Sequence, residues 1–208
     1  MRRLRSAMRL PALAAFLFTA AQLVTGAAAA QPAKPAAGSK SNAVSRGQYL
    51  VAIMSCNDCH TPLKMGASGP EPDMTRLLSG HPEGIKLPPP PAPSGPWIWS
   101  GVGSNSAFAG PWGITYSANL TPEKNTGLGI WTDAMFVTAM RQGKHMATSR
   151  PIQPPMPWQW IGKATDEDLK AIFAYLKSVP PIANHVPVYQ EPPTPAGAAK
   201  KPAEPAKK

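Results

Sequence analysis

The stretch SRGQYLVAIMSCNDCH, residues 45–60, carries a helical pattern into two cysteines three positions apart, with a histidine directly after the second. Ser45 followed three residues later by Gln48 fits a capping box, and Tyr49, Leu50 and Ile53 fall on one side of the turns that follow. The helix is expected to run straight into Cys56. Two thiols at that spacing on a helix end can form thioether bonds to the two vinyl groups of one haem, and the next imidazole is then delivered to the iron. Cys56 and Cys59 would be the anchors and His60 the proximal ligand.

Three plainer readings compete with this. A disulfide between Cys56 and Cys59 would close a loop too small to remove much entropy from the unfolded chain. A thioredoxin-like redox pair calls for a βαβ setting, and no such pattern surrounds the motif. A zinc site needs a second ligand pair at short spacing, whereas His81, His145 and His185 stand far apart along the chain. The motif occurs once, so one covalent haem c is expected.

Outward from the motif, residues 1–30 read as an export signal: a basic leader, the apolar run PALAAFLFTAAQLV, which is too short to span a bilayer, and small residues suited to cleavage near Ala30. The expected location is therefore the periplasm. The formal charge of +10 falls to +6 without the four arginines of that leader. Most of the remaining excess lies in residues 31–42, a linker, and in residues 187–208, a Pro/Ala/Lys tail; both have little to bury and read as disordered. Basic residues at the ends are not the folded basic face that nucleic acid requires. The tail leaves peripheral membrane association open, although its alternation of Lys with Ala and Pro forms no amphipathic face, and the mature chain has no transmembrane segment.

Between them, residues 43–186 are enough chain for one domain. Residues 64–115 hold ten prolines and nine glycines in 52 positions, which excludes regular helix over most of that length and reads as a long irregular loop. Its aromatics argue for order. A second helix, WTDAMFVTAMRQG, has Thr132 as N-cap and Gly143 to close it, with Phe136 and Met140 on its inner stripe. A third, TDEDLKAIFAYLKSVPP, is capped by Thr165, repeats Leu169, Ile172, Phe173 and Leu176 at helical spacing, and stops at Pro180.

A haem held by His60 leaves a sixth position. Met156, fenced by Pro155 and Pro157 in PPMPW, is the first choice, because prolines fix φ and favour an extended, rigid backbone. Met65, Met74 and Met146 are conceivable alternatives, and His145 is the rival imidazole. Met54 lies too close to Cys56, while Met135 and Met140 read as helix packing. The aromatic candidates for the pocket walls are Trp97, Trp112, Tyr116 and Trp158.

These residues together resemble the class I, mitochondrial-type cytochrome c family: a helix, C-x-x-C-H, a Met in a loop, then a C-terminal helix. FAGPWGITYSANLTPEKNTGLGIWTDAMFVTAMRQGKH, followed by PPMPW and TDEDLKAIFAYLKSVPP, is similar to the haem domains in cytochrome subunits of bacterial membrane-bound alcohol and gluconate dehydrogenases. The resemblance covers about residues 45–185, though those subunits carry three haem motifs. It implies an all-α fold of three to five helices around one haem, plus the long Pro/Gly-rich loop and disordered ends. It matches Cys56 and Cys59 to the anchors, His60 to the proximal ligand and Met156 to the distal one. It implies that Gly47 and Tyr49 face Ile172, Phe173 and Tyr175. It also implies a proline carbonyl on the His60 Nδ1–H, for which Pro70 is the candidate and Pro62 the alternative.

The expected function is one-electron transfer between redox partner proteins, without an enzymatic reaction of its own. The competing function is a haem peroxidase or small-gas binder, which needs an open or labile sixth position. A third reading leaves the haem as a structural staple of an interaction module.

Overall fold

The computed structural model describes residues 40–92, 94–145 and 149–192. Its organising contact is a helix crossing that only a glycine permits. Helix α1, Lys40–Ile53, lies against α5, Asp166–Leu176, and a Cβ at Gly47 would stand 2.6 Å from the Ala171 carbonyl carbon and 2.8 Å from the Tyr175 Cβ. Leu50 and Val51 are buried from α1, and Leu169, Ile172, Phe173 and Leu176 from α5. Helix α3, Asp133–Gln142, packs on α5, its Phe136 ring stacking on Phe173 with centroids 5.4 Å apart.

The α1 stripe differs from the one expected. The buried positions are Gly47, Leu50 and Val51, whereas Tyr49 and Ile53 are 54% and 57% exposed. The Arg46 guanidinium lies over the Tyr49 ring at 5.6 Å and also pairs with Asp168 at 2.9 Å, tying the first turn of α5 to α1 from outside. The helix starts at Lys40, inside the expected linker, so Ser45 is a mid-helix residue and caps nothing. The two expected threonine caps do form: the Thr132 hydroxyl accepts from the Met135 N–H and the Thr165 hydroxyl from the Asp168 N–H, and Gly143 closes α3 in the left-handed region at φ 64°.

The all-α expectation is overturned. The described residues hold five helices and also five strands in two antiparallel sheets. Residues 64–115, expected to be irregular, supply nearly all of the strands. Strands β1, Leu63–Gly66, and β2, Gly69–Pro72, form a hairpin in which Pro72 faces Leu63 and Pro70 faces Met65. A two-stranded ribbon has only edge strands, which is where proline is tolerated. A three-stranded sheet follows, in the order β3 (Ser100–Gly101), β4 (Ala107–Gly110), β5 (Gly113–Tyr116). Strands of two to four residues are too short to print an alternating pattern. Two residues assigned to the tail are engaged with the sheet: Gln190 exchanges backbone hydrogen bonds with Ile114 on β5, and Tyr189 donates its hydroxyl to the Trp112 carbonyl. Residues 1–30, Met146 and residues 193–208 lie outside the described residues.

Behind β5 sits a buried polar hub. The Asn184 side chain donates to the carbonyls of Ser79 and His81 at 2.7 and 2.9 Å and accepts from the Glu83 N–H at 3.0 Å and Arg76 at 3.2 Å, so its amide is fully used. His81 is fully buried, with Nδ1 3.0 Å from the Ser106 hydroxyl and its ring against Tyr116, centroids 5.1 Å apart. Burial pushes the His81 pKa down. The unfolded chain therefore takes up the proton first, and stability is expected to fall as pH drops below about 6.5 and to level off beneath the folded value. Thermal melting from about pH 8 to about pH 5 checks this. His81→Gln is expected to flatten the slope; an unaltered slope would remove His81 from the account.

Candidate haem-binding site

Ser55 separates the motif from α1. It adopts the left-handed conformation, φ 57°, so the chain turns once before the short helix α2, Cys56–His60, instead of running straight into it. Within α2 the two cysteines are three residues apart and therefore on one face. Both are free, and burial raises the Cys56 pKa to about 11 and also raises that of Cys59. Both sulfurs are thus protonated thiols at neutral pH, the form in which an S–H can add across a vinyl group.

His60 is 7% exposed, and burial pushes its pKa down. Its Nδ1 lies 2.8 Å from the Ala118 carbonyl oxygen. A carbonyl can only accept, so Nδ1 carries the proton and Nε2 keeps its lone pair. The acceptor is therefore Ala118 and neither Pro70 nor Pro62. Pro70 lies on β2 opposite Met65, while Pro62 uses its carbonyl on the Asp73 N–H at 2.9 Å. The end of α2 is held by the Asn105 side chain, which donates to the Asp58 carbonyl at 2.7 Å, and by the Gly80 N–H, which donates to the His60 carbonyl at 2.8 Å.

Cys56, Cys59, His60 and Met156 all line one cavity of about 670 Å³. Its walls include Phe108, Leu120, Phe136, Met140, Ile172 and Leu176, and Tyr116 among the expected aromatics. Met156 is carried on a turn, its N–H to the Gln153 carbonyl at 3.3 Å, so the prolines shape a bend and not an extended strap. That turn leads into α4, Trp158–Ile161, which is fixed on the end of α3. The Trp158 ring covers Gly143, where a Cβ would come within 2.5 Å of it, and Arg141 donates to the Gly162 carbonyl while pairing with Asp166 at 2.6 Å.

Three expected wall residues are elsewhere. Trp158 is engaged with Gly143, Trp112 packs over Gly110 beside Trp99, and Trp97 is 76% exposed at a separate depression formed by residues 96–101. Met65 and Met74, 77% and 64% exposed, are also outside the cavity. His145 does line it, edge-on to Trp131 at 5.2 Å, and burial together with the Arg150 charge lowers its pKa. Sequence reasoning missed Ala118, whose contribution is a backbone carbonyl that no side-chain pattern signals. The apolar walls on α3 and α5 were open to it through their helical spacing.

Two free thiols, a neutral buried imidazole with one nitrogen reserved, and a largely apolar chamber beside them are what a covalently anchored haem requires. A domain with that donor set and with its first and last helices crossed is a c-type haem domain. The family model for cytochrome c matches residues 44–180, and the chain belongs to that family. Among relatives, it is 30% identical over 165 residues to the fructose dehydrogenase cytochrome subunit of Gluconobacter japonicus, covering 78% of this chain and 27% of that one. The gluconate 2-dehydrogenase cytochrome c subunit of Pantoea cypripedii is 29% identical over 141 residues, 67% of this chain and 24% of its own. The cytochrome c subunit of the quinone alcohol dehydrogenase of Gluconobacter oxydans (strain 621H) is 28% identical over 161 residues, 76% and 25% respectively. The chain thus spans about a quarter of the length of these relatives. Among the described residues no helix is long and apolar enough to cross a membrane.

Proposed function

We propose that this protein is an exported, periplasmic one-electron carrier using a single haem c whose iron His60 and Met156 would ligate. The observation that supports this most is the shared cavity, which brings Met156 from a separate turn into the chamber that also holds both thiols and His60. When bound, the haem supplies an iron that alternates between the ferrous and ferric states.

The chain's own residues do the rest. Cys56 and Cys59 fix the group, and His60 presents Nε2 in an orientation set by Ala118. Apolar walls from α3 and α5 exclude water, and the Met156 thioether favours the ferrous state. No side chain has to act as acid, base or nucleophile. The acidic run 166–168 sits in the first turn of α5, where it complements the helix dipole, and Asp166 and Asp168 are engaged by Arg141 and Arg46. The names of the relatives favour a dehydrogenase as electron donor.

Optical spectra of the oxidised and reduced protein, compared with Met156→Ala, test this reading. The variant is expected to lose the sulfur-to-iron charge-transfer band and to have a lower potential. An unchanged spectrum would end the Met156 assignment and transfer it to His145, which lines the same chamber with its Nδ1 buried and unpartnered among the described residues.

A further inference from the structure

The carbonyl that orients His60 is itself held in place, and the residue holding it is Gly80. Ala118 lies in a segment laced on both sides to residues 78–81. The His81 N–H donates to the Ser117 carbonyl at 2.9 Å, and the Leu120 N–H donates to the Leu78 carbonyl at 2.8 Å. Gly80 is the centre of that lacing. Its own N–H donates to the His60 carbonyl, so its peptide touches the imidazole-bearing residue and faces the acceptor of that imidazole.

Two independent facts demand glycine here. The backbone is left-handed, φ 77°, and a Cβ would stand 2.6 Å from both the carbon and the oxygen of the Ala118 carbonyl and would overlap the Ser117 oxygen. One of the crowded atoms, the Ala118 oxygen, is the one that accepts the His60 Nδ1–H hydrogen bond at 2.8 Å. It belongs to the backbone, so no rotamer change relieves it.

We infer that Gly80 is a positioning residue that sets the His60–Ala118 hydrogen bond and, through it, the potential of the haem iron. This rests on the reading of His60 as the proximal ligand. A short Nδ1–H···O bond makes the imidazole a more basic ligand, which favours the ferric state. A side chain at 80 pushes the carbonyl away, weakens the bond and raises the potential, opposite in sign to the change expected for Met156→Ala.

The test uses the haem-loaded full chain, wild type and Gly80→Ala, with two readouts: the midpoint potential by spectroelectrochemistry and the solvent exchange of the His60 Nδ1–H in the reduced protein by nitrogen-labelled NMR. Gly69→Ala is the control, because Gly69 also has positive φ, 119°, yet has open space where its Cβ would go. The expected result is a higher potential and roughly tenfold faster Nδ1–H exchange for Gly80→Ala, with neither change in Gly69→Ala. Should Gly80→Ala fail to assemble, Thr61→Val loosens the same segment without a clash, since the Thr61 hydroxyl accepts the Leu78 N–H at 2.9 Å. It is expected to move both readouts in the same direction by less. An unchanged potential and exchange rate in the variant that assembles overturns the inference. Wild-type spectra in which the His60 ring shows no iron ligation would instead overturn the proximal assignment itself.

Discussion

Alanine at both Cys56 and Cys59 is expected to give a chain from which all haem passes into acidified organic solvent and which shows no haem stain on a denaturing gel. The wild-type protein is expected to retain its haem through both treatments. The expectation follows from the geometry of α2. The two sulfurs share one helical face and one cavity, are joined by no disulfide, and are kept as thiols by burial. His60 and Met156 are left intact in the variant, so any haem that remains is held without thioether bonds and is extractable. Each single variant keeps one thioether and is expected to retain haem in the denaturing gel. Covalent haem in the double variant would show that these cysteines are not the anchors.

Gly47→Ala is expected to lower stability by about 2 kcal/mol, seen as melting about 4–8 °C lower. The sign is the informative part. In an uncrossed helix, replacing glycine by alanine stabilises by about 1 kcal/mol through backbone entropy. Here the added carbon meets the backbone carbonyl of Ala171, which has no rotamer to change, so α1 and α5 must part. Parting them loosens the core cluster of Leu50, Val51, Ile172 and Leu176, and two of those, Ile172 and Leu176, also wall the cavity lined by Cys56, Cys59 and His60. A variant that melts higher than wild type would mean that the helices do not cross at this point.

The legible parts of this molecule were those in which side-chain chemistry leaves little choice. CNDCH signalled a c-type haem domain, which the family match bears out, because two thiols and an imidazole at that spacing suit covalent haem attachment. The caps Thr132 and Thr165 were readable because an exposed hydroxyl ahead of an apolar repeat has a local partner a few residues on. What could not be read depends on the backbone or on contacts between distant segments. The His60 acceptor is a carbonyl, and every residue has one. The strands within 63–116 are too short to alternate visibly. Tyr49 passes for a core residue by hydropathy, yet its ring serves Arg46 at the surface, and the helix is buried through a glycine that hydropathy ignores. Trp158 has the size and position of a pocket wall, but Gly143 offers it a bare backbone to cover.

That last contact has a further meaning. The segment bearing Met156 leaves the end of α3 at Gly143 and comes back at Trp158 to the same spot, with the Ile152 N–H returning to the Gly143 carbonyl at 2.7 Å along the way. A chain whose two ends meet is an interchangeable cassette: loops of other lengths or ligand chemistry can be spliced between these two residues while the helices on either side stay in place. Under the proposed ligation by Met156, the sixth position could thus be redesigned independently of Cys56 and Cys59, which lie near the opposite end of the domain's sequence.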